Sequence, residues 1–167
     1  DGFGLLEIEA FGQKCPSRAT GAKLQIPGGR DLLMVFSYLR DSEGLSDANL
    51  ELLMDVEALI QAQSLPGLMG GDWNFGPEAL ASSNFLEKLG GDMVAPNAPT
   101  HCPGDRSPSL FDLFAASSGL SRAVATVIII EVSLLSPTKP MELCIHKNVG
   151  RVQELGFRKP PMPPVGG

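Results

Sequence analysis

The sequence predicts an α/β chain of the α+β kind, built on a mostly antiparallel, twisted sheet with a helix packed on one side. Three observations predict it. Residues 46–63 carry a single strongly amphipathic helical pattern. Around it lie short apolar segments, some apolar on both faces, as in strands covered on each side. The 19 glycines and 14 prolines among 167 residues interrupt the chain too often for a bundle of long helices.

The elements follow in order. Residues 22–39 read as a β-hairpin: Leu24 and Ile26 alternate with Lys23 and Gln25, and Pro27-Gly28-Gly29-Arg30 supplies the turn. The second arm, 32–39, is apolar on both faces until Ser37 and Tyr38, near its C-terminal end. Open sheets tend to carry their sites at such ends. Ser46 is a good N-cap for the helix, Asp47 and Glu51 suit its positive end, and Leu45 can staple onto Leu50. Leu52, Val56, Leu59 and Ile60 form its buried stripe, and Pro66-Gly67 ends it beyond Gln63. A strand at 68–71 then completes a strand–helix–strand crossover and leads into Asp72-Trp73-Asn74. A second helix is expected over 77–89, with Pro77 in its first turn and Gly90-Gly91 closing it. Residues 95–108 read as a loop, followed by strands at 110–115, 123–132 and 140–146. Lys159-Pro160-Pro161-Met162-Pro163-Pro164 reads as a polyproline-like tail or linker.

Composition narrows the function classes. With 43% apolar and 19% charged residues, the chain can bury a core and is unlike a disordered segment. A formal charge of −6 argues against a basic nucleic-acid arm or a polybasic membrane patch, although it leaves room for a locally basic cleft. Lys14, Arg18, Lys23 and Arg30 could form a strip near the hairpin, but a solvated surface is the expectation. Cys15, Cys102 and Cys144 have no CxxC pairing, which suggests a reducing compartment. His101-Cys102 and Cys144-x-His146 lack the paired spacing of a zinc finger or ribbon. The apolar run around 123–130 is too short to span a bilayer, and no signal peptide is read at the start. The first residue, Asp1, suggests a fragment or processed product. Met34, Met54 and Met69 are expected to fill gaps in the core.

The segment that carries chemistry is Gly70-Gly71-Asp72-Trp73-Asn74. It puts a carboxylate and a carboxamide two residues apart at the end of a buried strand, where both can face one side. An Asp there can take a proton from water, and an Asn can donate to an oxyanion without adding charge. By itself the same fragment could be an ordinary turn, since Gly, Asp and Asn favour turns. Trp73 could stack on a base, but a tryptophan beside a buried strand is more often core.

In its context, Gly71-Asp72-x-Asn74 after an apolar strand resembles the GDxN motif of the endonuclease/exonuclease/phosphatase family. Further matches occur in the same order as in that family. Ser37-Tyr38-Leu39 is similar to the strand end bearing its active-site tyrosine. Thr100 and Ser109-Leu110-Phe111-Asp112-Leu113-Phe114 resemble its threonine followed by S-x-I-D-Y, and Ser136-Pro137-Thr138-Lys139-Pro140-Met141 falls on its closing S-D-H-x-P-V. The resemblance covers about residues 1–147, the C-terminal part of the family domain, and leaves 148–167 as a Pro-rich tail.

The resemblance implies a partial four-layer α/β sandwich, Mg²⁺-dependent hydrolysis of phosphodiester bonds, nucleic acid as partner, and a retroelement-type endonuclease as origin. It also implies site roles. Asp72 would activate or position water, Asn74 would contact phosphate, and Tyr38 would line the cleft. Asp112 would orient a catalytic histidine and Thr100 would contact substrate; Trp73 is a further substrate-contact candidate from its own chemistry. Tyr38, Asp72, Asn74 and Asp112 are expected to converge with Thr138 at one end of the sheet. The departures are equally specific. The family's closing aspartate and histidine fall on Pro137 and Thr138, and neither His101 nor His146 occupies the histidine position. The family's early metal-binding glutamate has no counterpart, so no metal ligand is assigned. A truncated, degraded hydrolase is the expectation, and a non-catalytic binding domain of the same fold is the alternative.

Overall fold

The computed structural model describes residues 4–7, 18–26, 29–131 and 137–146. Strand β1 (Gly4–Glu7) pairs antiparallel with β2 (Ala19–Gln25), and β2 pairs antiparallel with β3 (Leu32–Tyr38). The hairpin expected from the alternation is therefore present, beginning at Ala19 rather than at 22. Helix α1 (Asp47–Gln63) begins where the cap was read: Asn49 N donates to Ser46 Oγ at 3.4 Å. Its buried side is Asn49, Leu52, Leu53, Val56 and Ile60, so Leu53 takes the place expected of Leu59. Asn49 is spent on the loop before the helix, accepting from Arg40 N at 2.8 Å and donating to the Arg40 and Gly44 carbonyls.

The helix returns the chain to β4 (Gly67–Asp72), which lies parallel to β3 with Val35 opposite Met69. This is the crossover unit the sequence implied. The second helix is two short ones, α2 (Pro77–Ser82) and α3 (Phe85–Leu89), because Asn84 between them sits at φ 57° and ends the helical run. Strand β5 (Gly91–Val94), which the sequence did not reveal, pairs antiparallel with β6 (Asp112–Ser117), and β6 pairs antiparallel with β4. The main sheet thus has the order β1-β2-β3-β4-β6-β5, with one parallel pair among antiparallel ones. A one-turn helix, α4 (Ser118–Ser121), precedes β7 (Val124–Ile129) and β8 (Met141–Ile145), which form a separate antiparallel pair.

Two apolar layers hold these elements together. On one face of the main sheet, Leu33, Val35, Met69, Leu113 and Ala115 pack against α1 and against Leu80, Phe85 and Leu89. On the other face, Leu68, Phe114 and Ala116 meet Val127, Met141, Leu143 and Ile145 of the small sheet. Among the described residues this gives helix, sheet, sheet: three layers of the expected sandwich. The small sheet does not cover the C-terminal end of β3. Phe36 and Tyr38 stay 45% and 50% exposed, which corrects the expectation of a strand covered on both sides. Met69 is a core residue as expected, whereas Met54 is 57% exposed on α1.

The basic strip near the hairpin does not form a free patch among the described residues. Lys23 pairs with Asp31 at 2.8 Å, Arg30 donates to the Ser64 carbonyl at 2.7 Å, and the Arg18 guanidinium lies 5.5 Å from the Tyr38 ring centre. Lys14, Cys15, Pro27, Gly28, Val132, Ser136 and the tail 148–167 lie outside the described residues.

Candidate functional site

The strand register places Tyr38 opposite Asp72 and Asp72 opposite Asp112. Residues opposite one another on neighbouring strands project to the same face. Phenol, carboxyl and carboxyl therefore stand abreast across β3, β4 and β6, at one end of the sheet and on the side away from α1. Gly71 makes this alignment possible. Its φ is +148°, and a Cβ there would fall 1.8 Å from the Ser37 carbonyl oxygen, so only glycine allows β3 and β4 to approach this closely.

Past the strand end, the two halves of Trp73-Asn74 turn in different directions. Trp73 is wholly buried, its Nε1 donates to the Leu113 carbonyl at 2.9 Å, and its ring meets Phe75 and Phe85 edge-on. It is core, and the structure leaves no face of it to stack on a base. Asn74 adopts φ 53° and its backbone N donates to Asp72 Oδ1 at 3.0 Å, the side-chain-to-backbone turn that Asp favours. Its side-chain Nδ2 donates to the Leu39 carbonyl at 2.8 Å, and Leu39 N donates to the Asp72 carbonyl at 3.0 Å. Asp72 and Asn74 are thereby fixed to each other and to the end of β3.

Thr100 is also buried completely. Its Oγ1 accepts from Phe111 N at 3.3 Å and from Asp112 N at 3.1 Å. Thr100 therefore fixes the start of β6, and with it Asp112, and has no exposed surface to offer a substrate.

The next residue, His101, is the one that reading by motif missed. Its backbone bridges to both Ser109 and Thr138, its Nδ1 lies 3.4 Å from Thr138 Oγ1, and its ring lies against Phe111 with centres 5.8 Å apart. The structure thus brings an imidazole against the threonine that the sequence resemblance sets at the histidine position. A signal was available in the sequence, since His101 directly follows the threonine of the motif. His146, at the end of β8, is exposed, and its N donates to the Ala123 carbonyl.

Burial pushes the Asp72 carboxyl above its ordinary value; the Asn74 N–H opposes this, the Asp112 charge adds to it, and the His101 charge lowers it. Asp112 is likewise raised by burial, against the opposing effects of the Thr100 hydrogen bond and the His101 charge. Two neighbouring carboxyls with raised affinity for a proton are suited to accept one. Among the described residues no three His, Cys, Asp or Glu side chains come together to hold a metal ion.

No family profile and no curated protein sequence matches the chain. Solved structures do. The endonuclease domain of TRAS1, a telomere-specific non-LTR retrotransposon, superposes with a TM-score of 0.69 at 13% identity, covering 86% of this chain and 67% of that one. An endonuclease/exonuclease/phosphatase family protein from Bacteroides thetaiotaomicron superposes with a TM-score of 0.56 at 14% identity, covering 89% and 59%. The chain has the endonuclease/exonuclease/phosphatase fold. The 3′ phosphatase NExo from Neisseria, bound to a product DNA hairpin, shares it with a TM-score of 0.60 at 12% identity, covering 86% of this chain and 79% of that one. At these identities the likeness establishes the architecture, and this chain spans between 59% and 79% of the length of these three structures.

Proposed function

We propose that this chain is a degraded, retroelement-type member of the endonuclease/exonuclease/phosphatase family, whose site is directed at the phosphodiester backbone of nucleic acid. The alignment of Tyr38, Asp72 and Asp112 across three strands carries the reading. The architecture shared with the TRAS1 endonuclease domain and with NExo bound to a DNA hairpin supports it. In this reading residues 1–147 make up the domain and the Pro-rich remainder is a tail. Asp72, whose carboxylate burial makes a stronger proton acceptor, takes a proton from the attacking water. Asn74 holds Asp72 in place, and Thr100 does the same for Asp112.

Two positions weaken the hydrolase. Thr138 has no group that titrates near neutrality, and Pro137 has no side-chain acceptor. Mg²⁺, which the family resemblance implies, finds no complete set of ligands among the described residues. Phosphoryl transfer depends on stabilising developing charge, so positioning water alone leaves most of the barrier.

A plasmid-nicking assay with Mg²⁺ tests this, comparing the chain, Asp72→Ala, and the double variant Pro137→Asp/Thr138→His. The chain should nick no faster than Asp72→Ala, and the double variant should not rescue it. Robust nicking that Asp72→Ala abolishes would falsify the degraded reading. A second reading, binding without hydrolysis, is favoured by Phe36 and Tyr38, which stand exposed beside the acids with Arg18 over the Tyr38 ring. It requires saturable binding of a single-stranded oligonucleotide by the chain, weakened by Tyr38→Ala.

A further inference from the structure

An anion approaching the Asp72–Asp112 end of the sheet meets two carboxyl groups, and neither donates a hydrogen bond once ionised. Phosphate binding there needs a donor that can also carry positive charge. Three cations of this region already have partners: Arg18 lies over Tyr38 and donates to its carbonyl, Arg40 pairs with Glu43, and Lys139 pairs with Glu131. His101 is different. Its ring is fixed by Phe111 on one side and by Thr138 Oγ1 on the other, and its backbone is locked between Ser109 and Thr138. It directly follows Thr100, whose Oγ1 accepts from Asp112 N at 3.1 Å, and its ring lies against Phe111, the residue before Asp112.

We propose that His101 is the phosphate-binding residue of this site, with Thr138 orienting its ring, so that the imidazole comes from position 101 and not from position 138. The inference rests on the phosphodiester-directed reading above and adds to it the group that receives the substrate's phosphate oxygen. With Nδ1–H donated to Thr138 Oγ1, Nε2 is the nitrogen left for a ligand, and in the cationic ring it too carries a donor hydrogen. A threonine in the histidine position is then the support for a displaced imidazole. Recognition of phosphate can persist in this arrangement even where turnover is lost.

The chain has two histidines, so each can be followed individually by its ring C–H signals in an NMR titration with inorganic phosphate. The His101 signals should shift and saturate while those of His146 stay in place. His101→Phe keeps a ring against Phe111 but removes both donors, and should weaken phosphate binding about tenfold, the loss expected for one charge-assisted hydrogen bond. Adding Thr138→His to that variant should restore binding. The other site signals separate the two ideas. If Tyr38 and Asn74 respond to phosphate with unchanged affinity in His101→Phe, the site exists and His101 is not its donor. If phosphate perturbs none of the three residues, the phosphodiester-directed reading fails as well.

Discussion

Thr100 connects the fold to the site through one oxygen, and replacing it isolates that oxygen's contribution. In Thr100→Val a methyl group takes the place of the hydroxyl at nearly the same volume, so no cavity opens. Phe111 N and Asp112 N, which donate to Oγ1 at 3.3 and 3.1 Å, lose their acceptor inside a side-chain environment closed to water. An orphaned buried donor costs about 1–3 kcal/mol. Both bonds are longer than the usual 2.9–3.0 Å, so the low end applies and the pair should cost about 2 kcal/mol. In urea, with a slope of about 2 kcal/mol/M for a domain of this size, the midpoint should fall by about 1 M. Thr100→Ser provides the contrast: it keeps the acceptor and deletes one methyl, a loss of about 1 kcal/mol. Urea unfolding of the three proteins measures the order directly. If the valine variant proves as stable as the serine variant or more so, the hydroxyl is not what anchors the start of β6.

Gly71→Ala should destabilise the chain by about 2–4 kcal/mol, from steric overlap with the Ser37 carbonyl and a backbone angle that suits only glycine, and thermal melting will show it. Asp112→Asn should change how stability depends on pH. Because burial raises the folded-state affinity of Asp112 for its proton, the folded chain holds more protons than the unfolded one just above the ordinary carboxyl value. That contribution stabilises at low pH and is lost as pH rises through the raised value. The asparagine variant should therefore gain stability relative to the parent at pH 7 compared with pH 3, measured by urea midpoints. An equal offset at both pH values would refute the burial argument.

Local signals carried most of the fold. Ser46 was legible because a capping bond reaches only three residues along the chain, and the β3–α1–β4 crossover was legible from periodicity and breakers. What was missed depends on partners distant in sequence. Gly91–Val94 has too few residues to show alternation and becomes a strand by pairing with the free edge of β6. Asn84 was not recognised as a helix break because its left-handed conformation looks, in sequence, like an ordinary helical position. Asp72, Asn74, Tyr38 and Asp112 could be nominated from motifs, but their alignment depends on strand register. Trp73 and Thr100 match family positions just as well, yet burial gives them supporting roles, and His101 enters only once β-bridges bring it against Thr138.

The two bonds that flank the end of β4 also bear on how the chain reaches this state. Asn74 reaches back to a carbonyl 35 residues earlier, and Trp73 reaches forward to one 40 residues later. Each bond closes a long loop, and that closure costs entropy before the contact returns anything. The helix can form from near neighbours, whereas the β3–β4 crossover and this junction wait for long loops to close. A folding chain would therefore hold helix α1 before any acid stood beside another. Conversely, a chain losing β6 from the sheet would lose Asp112 from the row while most of its helical core remained packed.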